Sequence, residues 1–248
     1  MLQNPKLREL SFLVYGLGLS GRSTIKFLKK NRVKKINVWD DTSKKIFKNY
    51  RPKSLIKTLN EVDYIVLTPG ISLLKNKKLT RFKKKIITDI DLFYLTNNKA
   101  KTIVVTGTNG KSTTCKLLAH LLEKNKFKIS LGGNIGTPIL DIKSSKMNYI
   151  IIEASSFQLS HSKFISPTYA FFLNFTNDHI DWHGNMKNYL NSKLKIFHHQ
   201  TKNNFAKIDK KFKKKFESKK FLGKLIFPKT KDYMKIKLKI NNSYLTSK

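Results

Sequence analysis

One cysteine in 248 residues, Cys115, rules out an internal disulfide. Such a chain suits a reducing compartment, and the thiol, set among apolar residues at helical spacing, reads as a small core residue. No apolar run comes near the roughly 18 residues of a membrane-spanning helix, so no membrane insertion is expected. The opening stretch MLQNPKLREL has no apolar signal-peptide core, and the expected location is the cytoplasm. Acidic residues are scarce: 15 against 51 lysines and arginines, a formal net charge of +36. Arginine is scarcer still. Only Arg8, Arg22, Arg32, Arg51 and Arg81 occur; the other basic residues are lysines scattered through every segment among many Asn, Ile and Phe. A nucleic-acid-binding domain gathers its charge into a stripe or patch. This scatter suggests an AT-rich coding bias instead, and no nucleic-acid partner is expected, although such a surface attracts anionic substrates. There is no internal repeat beyond a shared strand–helix logic and no low-complexity linker. With 40% hydrophobic residues the chain can build one large core or two modest ones.

What is present centres on residues 104–114, VVTGTNGKSTT. A β-branched strand runs into a glycine-punctuated turn, Gly107, Thr108, Asn109 and Gly110. Lys111, Ser112 and Thr113 then open a helix whose expected apolar face is Leu117, Leu118, Leu121 and Leu122. Strand, turn and helix N-terminus make a phosphate cradle: backbone N–H groups converge, the lysine reaches β/γ-phosphates, and the serine hydroxyl can ligate Mg²⁺. Val105 stands where the longer form of this loop has its first glycine. The alternative is an ordinary connection with a solvated lysine.

The order of elements predicts an α/β fold with parallel strands and right-handed crossovers. Ser11–Tyr15 reads as a strand entering a G-x-G-x-x-G turn, GLGLSG at residues 16–21, and a helix with Ile25, Phe27 and Leu28 on its apolar face. Lys35–Trp39 is a second strand, closed by Asp40 and Asp41. Glycines followed about 20 positions later by an acid are a dinucleotide fingerprint. Alone it points to NAD; other ribose-phosphate ligands fit the same geometry, as does a tight turn without a ligand. Further strands are expected at residues 63–67, before Thr68, Pro69 and Gly70, and at residues 85–87. The polar stretch 97–99 marks the expected boundary between a Rossmann-like domain, 1–98, and a P-loop domain, 99–248. In the second, GGNIGTP (132–138) is another glycine-rich turn. A strand at 149–152 ends at Glu153, a Mg²⁺-ligand candidate or a helix N-terminal acid. Strands are also expected at 169–173, 205–208 and 224–227, helices at 189–197 and 210–216, and a hairpin from residue 234.

Together GTNGKST, GGNIGTP, IEASSFQLS, LNFTNDHIDWHG and NYLNSKLKIF resemble the ATP-dependent Mur ligases, over residues 13–209. SSFQL and GLGLSG are similar to the member that adds D-glutamate to UDP-N-acetylmuramoyl-L-alanine during peptidoglycan-precursor synthesis. The resemblance implies a UDP-binding first domain, with Leu19, Ser20, Asp40 and Gly70 at matching positions and Asp41 or Thr42 beside them. It implies that residues 107–113 bind ATP phosphates and that Asn134 and Ser155 contact the sugar-nucleotide. Lys111, Glu153, His179 and Lys193 become the expected catalytic set. Mg²⁺ would be held by Ser112, Glu153, His179 and Lys193, the last as a CO₂-derived carbamate. The plainer readings are a hydrogen-bonded turn histidine for His179, a surface lysine for Lys193 and a structural role for His183.

Relatives of this kind continue into a third domain that contacts D-glutamate. The expectation is a C-terminally incomplete monomer, inactive alone unless a separate C-terminal fragment completes it. Readings of another class are a non-catalytic nucleotide-binding remnant and a basic P-loop ATPase acting on nucleic acid; the latter would show a steep inverse salt dependence of DNA or RNA affinity.

Overall fold

A computed structural model of the protein describes residues 7–43, 47–96, 100–143 and 146–226. The expected hairpin from residue 234 and the expected boundary at 97–99 lie outside these residues.

Two parallel sheets form, as the alternation of strands and helices requires. The first contains β1 (Ser11–Tyr15), β2 (Lys35–Trp39), β3 (Tyr64–Leu67) and β4 (Ile86–Ile87), in the order β2-β1-β3-β4. Phe12, Leu13, Val14 and Tyr15 of the central strand are all completely buried. A strand covered on both faces reads as a continuous apolar run rather than an alternating one. Phe12 and Val14 pack under α1 (Leu19–Lys30), whereas Leu13 and Tyr15 pack toward α2 (Leu55–Glu61).

The second sheet contains β5 (Lys101–Thr106), β6 (Ile129–Gly133), β7 (Tyr149–Glu153), β8 (Tyr169–Phe172), β9 (Phe205–Lys207) and β10 (Lys224–Ile226), in the order β10-β9-β8-β5-β7-β6. After β7 the chain crosses to the other side of β5. Such a switch opens a crevice at the C-terminal strand ends, where ligands bind in doubly wound sheets. The loop after β5, Glu153 at the end of β7 and Asn174 just past β8 all lie at that crevice. In the first sheet the same switch falls at β1, beside the turn of residues 16–21.

The helix after the phosphate loop, α4 (Lys111–Lys124), corrects the expected apolar face. Leu117 and Leu121 are exposed, at 42% and 38%; the buried stripe is Cys115 and Ala119, with half-buried Leu118 and Leu122 packed beside them. At 100° per residue the small Cys115 and Ala119 set the centre of the contact, and Leu117 and Leu121 face away from it. Burial raises the Cys115 thiol to about 12, with Glu153 adding to the effect, so it is an inert core residue as expected. The expected helix at 210–216 is a 3₁₀ turn, Lys210–Phe212, followed by α8 (Lys213–Ser218).

Helix α3 (Asp89–Thr96) serves both sheets. Its Leu92 joins the core of the first, and its Ile90 and Phe93 join the core of the second. Its Asp91 is completely buried. One carboxylate oxygen accepts from the Thr88 N–H at 2.9 Å, closing the helix N-terminus; the other accepts from Ser162 Oγ, Lys163 N and Phe164 N at 2.7–2.8 Å. Ser72 Oγ donates to the Trp182 carbonyl at 3.0 Å, a second tie between the two halves. Among the described residues no helix is long and apolar enough to cross a membrane.

Candidate functional site

The first group of candidate residues gathers at the C-terminal ends of β1, β2 and β3. Gly16 has φ +104°, and a side chain there would strike Thr68 Oγ1. At Gly21 an added Cβ would lie 1.9 Å from the Gly16 carbonyl oxygen, because α1 crosses directly over the turn. Gly21→Ala is therefore expected to cost about 1–3 kcal/mol, read as a lower denaturant midpoint at unchanged slope. Asp40 Oδ2 accepts from the Leu17 N–H at 2.8 Å, and Oδ1 from the Thr42 and Ser43 N–H groups and the Thr42 hydroxyl. Partial burial opposes its charge, but the bonds from Ser43, Thr42 and Leu17 outweigh that and bring the carboxyl down to about 2. Asp40 is thus an ionised acceptor at the mouth of the turn. Asp41 faces elsewhere: Tyr15 Oη, Trp39 Nε1 and Lys78 Nζ donate to it at 2.8–3.0 Å. Thr42 is spent on Asp40. Leu19 is 79% exposed at the tip of the turn, and Gly70 has open space where a Cβ would stand.

The second group lies at the crevice of the larger sheet. Val105 is a buried strand residue paired with Glu153 and Phe171, so the expected phosphate loop begins at Gly107 and is shorter than the long form. Lys111 folds back, its Nζ donating to the carbonyls of Gly107 and Thr108 at 3.1 and 2.8 Å. Ser112 Oγ donates to Glu153 Oε2 at 2.7 Å, and Asn134 Nδ2 to Glu153 Oε1 at 3.0 Å. A second bond, Asn134 N–H to the Glu153 carbonyl at 2.8 Å, locks the GGNIGTP turn against β7. A hydroxyl and a carboxylate beside a phosphate cradle are hard oxygen donors that suit Mg²⁺. Among the described residues no three His, Cys, Asp or Glu side chains converge on one metal position. Phosphate oxygens and water would complete such an ion's shell, as is usual for Mg²⁺.

His179 caps α6 (Ile180–His183) with φ 54°, a left-handed conformation uncommon outside glycine, and its N–H donates to Asp178 Oδ1 at 2.8 Å. Its ring packs on Phe157 and against Tyr189. Lys193, on α7 (Met186–Leu194), is 1% exposed, and its Nζ donates to the Gly107 carbonyl at 2.6 Å. Burial, reinforced by the Lys111 cation, lowers its amine to about 7. The surface-lysine reading therefore fails. Tyr189 links the two residues: His179 meets its ring, and Lys193 Nζ lies 4.7 Å from the ring centroid.

A sequence profile described as the Mur ligase middle domain matches residues 105–246, more than half of the chain. The chain belongs to the Mur ligase family. Curated relatives of this Mur ligase chain carry the description UDP-N-acetylmuramoylalanine--D-glutamate ligase. One from Rickettsia bellii is 44% identical over 165 residues, 65% of this chain and 36% of its own length. One from Wolbachia pipientis wMel is 39% identical over 210 residues, covering 79% and 40%. One from Buchnera aphidicola subsp. Schizaphis graminum is 37% identical over 218 residues, covering 84% and 49%. The chain thus spans less than half the length of these relatives. Among solved structures, the UDP-N-acetylmuramate:L-alanyl-gamma-D-glutamyl-meso-diaminopimelate ligase from Neisseria meningitides superimposes with a TM-score of 0.50 at 13% identity, covering 87% of this chain and 76% of that one. That likeness concerns the fold.

In this Mur ligase chain the phrase SSFQL has a local structural cause. Ser155 caps α5 (Ser156–His161): its hydroxyl accepts from the Gln158 N–H, and Gln158 Oε1 accepts from the Ser155 N–H, a reciprocal capping box. The adjacent Ser156 bonds His183 Nε2 at 3.0 Å. His183 is 4% exposed, and burial lowers its pKa to about 4, so it is a neutral internal side chain, as expected for a structural role. The sequence reading missed Asn174 and Tyr189. Asn174 Oδ1 accepts from the N–H groups of Thr108 and Asn109, and Tyr189 Oη meets Thr108 Oγ1 at 3.2 Å. They lie inside the motifs LNFTNDHIDWHG and NYLNSKLKIF, but no local pattern gives their partner; each acts on the loop from a distant part of the sequence.

Proposed function

We propose that this chain supplies the UDP-substrate site and the ATP-phosphate site of a ligase that joins D-glutamate to UDP-N-acetylmuramoyl-L-alanine in peptidoglycan-precursor synthesis. The observation that carries the reading is the linked set Ser112–Glu153–Asn134 under a phosphate loop, at a sheet crevice, in a chain whose relatives bear that ligase description. The GLGLSG turn then takes a uridine nucleotide rather than NAD. Exposed Leu19 offers an apolar shelf to the base, Asp40 a charged acceptor and Gly70 an unobstructed approach, while the Ser20 hydroxyl, at the N-terminus of α1, is already bonded to Asp89 and would have to turn from it. The division into residues 1–98 and 99–248 belongs to the same reading, with α3 as the shared wedge.

A carboxylate is a poor acyl donor. In the proposed reaction the L-alanyl carboxylate attacks the γ-phosphorus of ATP and ADP leaves; the amine of D-glutamate then attacks the acyl carbon and phosphate leaves. Both halves bring anions together, so fixed cations and N–H groups lower the barrier. The N–H groups of Gly110, Lys111, Ser112 and Thr113 precede the first intrahelical bond, Thr114 N–H to the Gly110 carbonyl, and are free to face phosphate. Lys111 swings from its two carbonyls to the β/γ-oxygens. Asn134, bonded to Glu153, is assigned to the sugar-nucleotide; Ser155, buried with its hydroxyl bonded to Gln158, holds α5 in place instead. Mg²⁺ held by Ser112 and Glu153 would neutralise phosphate charge, and a second ion would call on His179 and a Lys193 carbamate.

Calorimetry on the 248-residue chain tests this. The whole chain is required, because a 1–98 fragment would expose Ile90 and Phe93. UDP or UDP-N-acetylmuramoyl-L-alanine should bind and NADH should not. Mg·ATP should bind, and Lys111→Ala should weaken it about 10- to 100-fold, the equivalent of a lost charge-assisted bond. NADH binding with no UDP response would overturn the assignment.

A further inference from the structure

The phosphate loop is held from outside by the segment that follows β8. Thr108 N–H donates to the Asn174 side-chain oxygen at 3.1 Å and, bifurcated, to the Asn174 carbonyl at the same distance. Asn109 N–H donates to the same side-chain oxygen at 2.9 Å, and Asn174 Nδ2 returns a bond to the Asn109 carbonyl at 3.0 Å. Below them Thr108 Oγ1 accepts from the Thr176 N–H at 3.1 Å and meets Tyr189 Oη at 3.2 Å. The Gly107 carbonyl takes the Lys193 amine. Every residue of the loop's first half is therefore fixed by residues 174–193, which also carry His179 and Lys193.

An isolated glycine-containing loop has many conformations, and fixing one of them for phosphate costs entropy on binding. Side-chain amides remove that cost in advance, because an Asn can accept two N–H bonds and donate to a carbonyl at once. Two of the loop's N–H groups are thereby turned toward Asn174, and the phosphate-facing donors narrow to those from Gly110 onward.

We propose that Asn174 is a positioning residue for the phosphate loop: it sets the loop in its ligand-ready shape and couples that shape to the segment bearing His179 and Lys193. The proposal rests on residues 107–113 being the ATP-phosphate loop, and its test separates the two. Amide hydrogen exchange of the ligand-free 248-residue chain should find the Thr108 and Asn109 amides protected, and Asn174→Ala should raise the exchange of the Asn109 amide at least tenfold, while Thr108, which keeps its bond to the backbone carbonyl of residue 174, and the strand amides of β1 and β5 keep theirs. Calorimetry should show Mg·ATP bound about tenfold more weakly by Asn174→Ala, with UDP binding within twofold of the parent. Asn174→Asp keeps the acceptor, so the two amides stay protected, yet its carboxylate repels polyphosphate and ATP affinity falls. If Asn174→Ala leaves amide exchange unchanged, or leaves ATP affinity within twofold of a parent that binds ATP, the proposal is wrong. A parent chain that does not bind ATP defeats the phosphate-loop reading instead, and the amide exchange still decides the clamp.

Discussion

Asp91→Ala is expected to lower the unfolding free energy by about 3–5 kcal/mol, among the largest effects of any single substitution in this chain. The carboxylate is completely buried and accepts from four groups at 2.7–2.9 Å: the backbone N–H groups of Thr88, Lys163 and Phe164 and the Ser162 hydroxyl. Alanine strands all four donors, the Thr88 N–H and Ser162 hydroxyl in buried residues and the Lys163 and Phe164 N–H groups in half-buried ones. Hydrogen bonds to an ionised acceptor contribute about 1.5–3 kcal/mol each, and a stranded buried donor costs about 1–3. Local relaxation and entering water reduce the sum. The substitution Asp91→Asn would not rescue the site. It keeps one acceptor, but its NH₂ must face either the Thr88 N–H or the donors of residues 162–164. Thermal unfolding should show a drop of roughly 10 °C for the alanine variant, at about 2–4 °C per kcal/mol for a chain of this size. A drop under about 3 °C would show that the loop at 162–164 does not depend on this carboxylate.

How much of this was legible in the sequence follows the distance over which each interaction acts. The strands β1 and β7 were readable because both faces are buried and their apolar runs are unbroken. The phosphate loop was readable because strand, turn and helix are contiguous. The stripe of α4 was misplaced: four leucines outweigh Cys115 and Ala119 in any count of hydrophobicity, yet the small residues are what let the helix approach the sheet. The Ser155–Gln158 capping box was visible as a spacing, and served only as a mark of resemblance. Asp91 and its loop are 71 positions apart, Asn174 and Thr108 66, Lys193 and Gly107 86. No local pattern encodes those pairs; only the crossover of β8 to the far side of β5 brings the last two together, and only the shared helix α3 brings the first. The turn of residues 16–21 shows the opposite limit. Its backbone was predicted correctly, but G-x-G-x-x-G with a following acid is shared by ligands that differ in the base, and Asp41 was a plausible partner until Tyr15, Trp39 and Lys78 were seen to hold it.

Lys193 should make the stability of this chain depend on pH in a way that Lys193→Met removes. Its amine sits at about 7 in the folded protein, lowered by burial and then by Lys111, against about 10.4 in an unfolded chain. Between those values the unfolded state binds the proton and the folded state does not. Stability from this group therefore rises as pH rises from about 7 to 10.4, and is flat below, where both states are protonated and the full penalty of a buried ammonium applies. The difference in unfolding free energy between Lys193→Met and the parent should shift by about 3 kcal/mol between pH 6 and 9.5, in favour of the parent at the higher pH. Histidines with lowered pKa values, such as His161 and His198, are common to both proteins and cancel in the difference. The same depression bears on the proposed carbamate. An ordinary lysine is neutral in roughly one molecule per thousand at pH 7.5, whereas an amine at about 7 is mostly neutral there and can attack CO₂, releasing a proton and placing a carboxylate beside Lys111. With ¹³C-bicarbonate at pH 8 a carbamate resonance should appear and be absent from Lys193→Met. A stability difference that does not change with pH would mean that this amine titrates like a surface lysine, and the carbamate would lose its physical basis.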